Sequence, residues 1–303
     1  MQHLLVAMAL LAGGCGTDPM DVGPDAGTDP TDPTDPEPDS GVPPVTGTPS
    51  IEGTDVSTFE RSTCSTSVVL ALSRQIAEEV DCLKPGQLIP FEVGPRIQFS
   101  GSAILPYLGS KARTDLYAAA AAGGGKVIRV NSAFRSVAQQ YLLRRWFELG
   151  RCGITAAALP GGSNHESGRA LDIQNYSEWI SVFAARGWSH SVPGDPVHFD
   201  HTGTADIRGT DVLAFQRLWN RNAPNDKIGE DGSYGPMTAS RLARAPAEGF
   251  GIGANCPTAR PNPRQAIPPA AYDPDGRYDG HLHDTTVTPA VEACGAELIT
   301  ASP

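Results

Sequence analysis

The chain has 303 residues, 40% of them hydrophobic and 19% charged, enough for one large or two small domains with buried cores. Its net charge of -11 is unevenly spread: residues 1–60 hold 11 Asp or Glu and no Lys or Arg, which leaves 23 acids against 23 bases in the remaining 243 residues. A balanced globular part without a basic stripe argues against nucleic acid as a partner.

Residues 1–15, MQHLLVAMALLAGGC, form an apolar run ending in small residues. The run is too short to cross a bilayer as a helix and has the shape of a secretory signal. It resembles a bacterial lipobox with Cys15 as the lipidated residue, and an ordinary signal cleaved elsewhere is the alternative. The lipobox implies a membrane partner through a lipid anchor at Cys15. The chain would then sit in the bacterial cell envelope, on the periplasmic face of the outer membrane or on the cell surface. Residues 16–50 contain TDPTDPTDPEPDS and almost no large apolar side chain, so they cannot offset the entropy of ordering. They read as a tether. Proline stiffness and Asp repulsion give it a reach of up to roughly 100 Å, at about 3.1 Å per residue.

From about residue 60 the pattern becomes globular. Val69, Leu70, Leu72, Ile76 and Val80 make an apolar stripe that predicts a helix over 66–81, stopped by Pro85 and Gly86. An Ala-rich helix is expected near 111–122, ended by Gly123–Gly125, and Lys126–Val130 reads as a buried strand. Ser136 is placed to cap a helix running to about Leu149. Strands are expected at Arg169–Gln174 and Val197–His201, with a helix between them around Ser177–Arg186. Val212, Phe215 and Trp219 then recur at helical spacing, Asp231-Gly232 marks a turn, and Pro236 pre-sets the first turn of another helix. The expected fold is α+β: a small antiparallel sheet with flanking helices over residues 51–205, a small all-α unit over 206–253, and an irregular Pro-rich tail over 254–303.

Six cysteines in an exported chain point to disulfides. A continuous helix over 66–81 would hold Cys64 and Cys82 roughly 25 Å apart at about 1.5 Å per residue, so these two are not expected to bridge. Cys256 with Cys294 is the favoured pair, because a staple helps most in a weakly structured tail.

The chemistry-bearing stretch is Gly162-Ser163-Asn164-His165-Glu166-Ser167-Gly168-Arg169-Ala170-Leu171-Asp172, followed by Asp195-Pro196-Val197-His198. His165 precedes a strand that carries Asp172, and a turn through Gly168 brings both to one mouth, with His198 completing the set. Two neutral imidazoles and a carboxylate make a three-ligand zinc (Zn2+) site that leaves a fourth position open, as a catalytic site requires. Asp195 lies close by without being a ligand and is the candidate general base. His190 and His201 are placed outside the ligand set, as neighbouring histidines more often support or face solvent. The His281-Leu282-His283-Asp284 cluster is set aside because it lies in the Pro-rich tail.

These residues resemble the zinc D-alanyl-D-alanine carboxypeptidases, the VanY-like members of the group that also contains lysostaphin-type peptidases and hedgehog domains. The family pattern S-x-H-x-x-G-x-A-x-D is met by Ser163, His165, Gly168, Ala170 and Asp172, and the later E/D-x-x-H by Asp195 and His198. Asp stands at 195 where most relatives carry Glu, although some related phage endopeptidases also use Asp. Ser132-Ala133-Phe134-Arg135-Ser136 looks like the family's S-x-x-R segment, whose Arg contacts substrate and developing oxyanion. Residues 206–250, through Val212–Trp219 and the set from Asp231 to Thr238, resemble the three-helix peptidoglycan-binding domain.

The resemblance implies a zinc peptidase acting on peptidoglycan stem peptides. Zinc would be held by His165, Asp172 and His198, Asp195 and Arg135 would be catalytic, and Arg135, Ser132 and Ser163 would bind substrate. The expected activity is D-Ala-D-Ala carboxypeptidase. A cell-wall D,D- or L,D-endopeptidase and a non-catalytic peptidoglycan-binding lipoprotein are the alternatives.

Overall fold

A computed structural model describes residues 47–256. The expected signal, Cys15, most of the tether, Cys294 and the His281–Asp284 cluster lie outside them. The described part is mixed α and β, with a two-stranded antiparallel sheet and a larger five-stranded sheet.

Local chemistry accounts for most of the helix limits. After a short α1 (Phe59–Ser62), the stripe from Val69 to Val80 forms a 3-10 turn, Thr66–Val69, that leads into α2 (Leu70–Leu83). Gly123 closes α3 (Ser110–Ala122). At α4 (Val137–Glu148), Ser136 Oγ accepts the Gln139 N–H at 3.3 Å while the Gln139 side-chain oxygen accepts the Ser136 N–H at 3.4 Å, a reciprocal capping box. The helix expected at 177–186 is only α5 (Ile180–Ala184), because the chain first makes a 3-10 turn at Tyr176–Glu178 and Gly187, at φ +75°, ends the run. Farther on come α6 (Thr210–Asn222) and α7 (Pro236–Ala243), the latter opened by Pro236 in its first turn.

The small sheet pairs β1 (Ile89–Pro90) with β3 (Tyr107–Leu108). The larger one contains β2 (Ile97–Phe99), β4 (Ile128–Ser132), β5 (Ala170–Ile173), β6 (Trp188–Ser189) and β7 (His198–His201) in the order β2-β4-β5-β7-β6. Only β2 and β4 run parallel; every other pair is antiparallel. Side chains alternate between faces along a strand, and this sheet uses that period to separate core from chemistry. Ile128, Val130, Leu171, Ile173 and Phe199 point to one face, where Leu116 of α3, Phe183 of α5 and Trp179 close a buried cluster. The register pairs Ser132 with Asp172 and Asp172 with His198; a shift in register between Val130 and Ser132 breaks the alternation there, so Ser132 leaves the face of Val130 and joins the other two in one row across β4, β5 and β7.

A second buried cluster joins α2, α4 and α6 through Leu72, Ile76, Leu142, Trp146, Phe215 and Trp219. Residues 206–253 therefore share a core with α2, which precedes the sheet, and α4, which lies between β4 and β5. Glu79 of α2 is fully buried in that seam, 3.1 Å from both Arg217 Nε and Arg221 Nη2 of α6.

Among the described residues two disulfides are present, Cys64–Cys152 with Cα atoms 5.4 Å apart and Cys82–Cys256 at 4.8 Å. Cys64 and Cys82 take separate partners, as the helix length requires. The expected Cys256–Cys294 bond is corrected. Arg221 Nη1 donates to the Gly253 carbonyl at 2.6 Å and the Asn255 N–H to Glu79 Oε2 at 3.1 Å, which brings the chain back to the end of α2 and sets Cys256 against Cys82.

Candidate metal centre

The turn that carries His165 is built by its own capping residues. Over Asn164–Ser167, Ser163 Oγ accepts the His165 N–H at 3.3 Å, and the two Glu166 carboxylate oxygens accept N–H groups from Gly161 at 2.7 Å and Ser163 at 2.8 Å. Gly168 then reverses the chain into β5 at φ +66°; a Cβ there would lie 2.7 Å from Leu88 Cδ1 and 3.1 Å from the Gly109 nitrogen, so only glycine fits. The segment before α4 is laced to this turn from both sides: Arg135 N–H donates to the His165 carbonyl at 3.2 Å, and His165 Nδ1 bonds the Ala133 carbonyl at 2.7 Å.

That last bond makes Nδ1 the protonated nitrogen and leaves His165 Nε2 as a lone pair. His198 Nε2 donates to Asp200 Oδ1 at 3.0 Å, so Nδ1 is the nitrogen turned toward the other two ligand atoms, a lone pair once the ring is neutral. Asp200 is itself held by Asn164 Nδ2 at 2.9 Å. These two nitrogens and Asp172 Oδ1 form a nearly equilateral triangle: His165 Nε2 to His198 Nδ1 is 3.2 Å, His165 Nε2 to Asp172 is 3.2 Å, and His198 Nδ1 to Asp172 is 3.1 Å. Atoms this close need a positive charge among them, a proton on His198 in the metal-free chain or a metal ion in its place. A tetrahedral ion with bonds of about 2.0–2.1 Å needs ligand atoms about 3.3–3.4 Å apart, close to what is present. His165, Asp172 and His198 can hold a metal ion.

Burial pushes the Asp172 carboxyl up, but His165, His198 and Arg135 hold it well below the usual carboxylate range. Burial lowers His165. Burial also acts to lower His198, yet the flanking Asp172 and Asp200 carboxylates raise it to about 9, so in the metal-free chain at neutral pH its Nδ1 carries a proton toward Asp172, which a metal ion would displace.

Among the other residues expected at the site, Arg135 stands beside the triangle, with Nη2 3.2 Å from Ser132 Oγ and 3.6 Å from Asp172 Oδ2, and Nη1 3.1 Å from Gln140 Oε1. Ser132 orients that guanidinium, and Ser163 caps the ligand turn. Asp195 is half-buried in the turn before β7 and acts on Arg135 through its charge rather than through a hydrogen bond. His190 lies outside the ligand set, stacked on Tyr176 with Nε2 donating to the Pro196 carbonyl at 2.7 Å. His201 also lies outside it, bonded to Asp115 and Thr204.

The sequence reading missed Asp200, Gln140 and the Ala133 carbonyl. Asp200 carried a signal, since it lies two residues after His198 on a strand and so shares its face; the backbone carbonyl carried none. Among the described residues no helix is long and apolar enough to cross a membrane. No protein-family model matches the chain, and no curated protein matches it.

Proposed function

We propose that this chain is a zinc-dependent peptidase that cleaves peptidoglycan stem peptides, acting most directly as a D-Ala-D-Ala carboxypeptidase. The observation that carries the reading is the triangle of converging ligand atoms from His165, Asp172 and His198 with the Arg135 guanidinium beside it. Two imidazoles and one carboxylate are a donor set suited to zinc with a position left open. When bound, zinc supplies a Lewis acid that polarises a carbonyl and lowers the pKa of a water toward about 7.

The chain's own groups do the rest. Asp195 takes a proton from the attacking water at its carboxylate and returns it to the nitrogen of the leaving amine. Arg135 is fixed by Ser132 and Gln140, so its N–H groups are already oriented toward the substrate carboxylate or the oxyanion that develops at the scissile carbon. Asp200 and the Ala133 carbonyl keep both imidazoles in the tautomer that presents a lone pair. In this reading residues 206–253 hold the peptidoglycan strand, and a lipid at Cys15 ties the chain to a membrane of the cell envelope.

Incubating the zinc-loaded full chain with purified muropeptides and following the products by mass spectrometry tests the proposal. Loss of one alanine, abolished by a zinc chelator, is the expected result. Splitting of cross-linked dimers would reassign the enzyme as an endopeptidase, and unchanged muropeptides would contradict a peptidase.

A further inference from the structure

A cavity of about 310 Å³ opens between α4 and the chain around the start of α7, within the size range of small-molecule sites. One wall is α4, with Tyr141, Arg144 and Arg145; the other is Tyr234 and Ala239 of the helical segment, and Leu159, 61% exposed, lines it as well. Its charges are already matched. Glu60 accepts from the Tyr141 hydroxyl and, at 3.1 Å, from Arg145 Nη2, while Glu148 accepts from Arg145 Nη1 at 2.7 Å and from Arg144 Nε at 2.8 Å. Two acids against two bases leave no net charge, so an ionic ligand would have to break a pair. A neutral ligand rich in hydroxyls need break nothing: it can add hydrogen bonds to the spare lone pairs and N–H groups of side chains already held in place, and lay its C–H face on a phenol ring. Among the described residues the Tyr234 hydroxyl takes part in no hydrogen bond and is free for such a ligand. This is the chemistry of a sugar site.

The cavity is tied to the candidate metal centre along α4. Gln140, whose Oε1 holds Arg135, donates through Nε2 to the Ala158 carbonyl at 2.8 Å, and Arg144 Nη1 donates to the Ala157 carbonyl at 3.1 Å. The loop that leads to the ligand turn is thereby pinned along α4. Tyr234 abuts the same loop, since a Cβ on Gly161 would lie 3.7 Å from Tyr234 Cβ. Beyond Gln140, α4 runs from Tyr141 to Glu148 over about 12 Å, at about 1.5 Å per residue. Four residues of extended stem peptide reach up to about 13 Å, and the amide link to that peptide leaves the attached sugar uncharged. On the peptidase reading given above, we propose that the cavity is a sugar subsite, built jointly by α4 and the helical segment, which takes an uncharged N-acetylated amino sugar at the glycan end of a muropeptide whose stem peptide reaches Arg135 and the ligand triad.

The test titrates the full chain with the disaccharide of N-acetylglucosamine, which carries neither charge nor peptide, and follows binding by calorimetry. Wild type should bind it saturably. Tyr234→Phe keeps the ring and loses the hydroxyl, and should bind about 3–10-fold more weakly. Leu159→Ala should also weaken binding, at an unchanged unfolding temperature because the side chain is exposed, whereas Ile180→Ala, an exposed apolar position on α5, should bind as wild type does. With zinc-loaded wild type, the KM for a disaccharide-pentapeptide should lie about 3–10-fold below that for the free pentapeptide. The proposal is overturned if the disaccharide does not bind, if Tyr234→Phe binds it as tightly as wild type, if Ile180→Ala weakens it as much as Tyr234→Phe does, or if the two KM values are equal. Disaccharide binding that is lost in Tyr234→Phe, in a chain that cleaves no muropeptide, would remove the peptidase reading and keep the sugar site.

Discussion

The strand β7 begins with His198 and ends with His201, and both imidazoles lie against carboxylates, yet their surroundings are opposites. At the far end the circuit is closed: Lys111 Nζ donates to Asp115 at 2.7 Å, His201 Nε2 donates to Asp115 at 2.8 Å, the Thr204 hydroxyl donates to His201 Nδ1 at 2.8 Å, and the Ala112 N–H donates to Thr204 Oγ1 at 3.0 Å. Each of these lone pairs has a proton from the chain itself. At the near end one proton each of His165 and His198 is directed outward, to the Ala133 carbonyl and Asp200, and the ligand atoms are directed at one another. Residue types are similar in the two clusters. What marks a ligand site is a surplus of converging acceptors, and what marks a structural bolt is a balanced set.

The largest contrast is in metal content. His165→Ala or His198→Ala should leave a two-ligand remnant, and elemental analysis should fall from one zinc per chain to none with activity abolished. Asp195→Asn should keep its zinc and lower turnover by about 10²–10⁴-fold, measured as zinc content and muropeptide cleavage on the same preparation; a variant that keeps wild-type turnover would remove Asp195 from the mechanism.

Changes in the supporting groups should separate the two ends of β7. Asp200→Ala frees the His198 tautomer and should weaken zinc binding by about 10–100-fold. Asp115→Ala strips a partner from a buried imidazole and should destabilise the fold by about 1–3 kcal/mol while leaving the zinc affinity unchanged. Denaturant unfolding and a zinc titration on both variants would reveal either effect appearing at the wrong end.

The smallest expected effect is on pH dependence. Burial holds the His201 pKa below its ordinary value against the pull of Asp115, so on acidification the unfolded chain takes up the proton first. Its contribution to stability is therefore present above the unfolded pKa of about 6.5 and is lost as pH falls below it. His201→Gln should flatten the fall in stability of the metal-free protein between about pH 7 and 5.5, and identical slopes in variant and wild type would contradict the closed circuit.

Much of this was legible because the decisive signals are local. A cap at Ser136, a Pro in the first turn of α7 and a stripe from Val69 to Val80 act within a few residues, and Gly168 is dictated by a single turn. The β1, β2, β3 and β6 strands, of two or three residues each, are too short to show an alternation. The partner of Cys256 depends on how Arg221 and Glu79 draw the chain back along α2, which is set by tertiary packing. The ligand triad could be assembled from spacing because His165 and Asp172 flank one turn.

The converging acceptors are tested most directly by loading the full chain with zinc and recording its X-ray absorption spectrum. The account predicts one zinc per chain, bound by two imidazole nitrogens and carboxylate oxygen, with the imidazole signal reduced in His165→Ala and in His198→Ala. A spectrum unchanged in both variants, or a chain that takes up no zinc from a zinc-buffered solution at neutral pH, would contradict it.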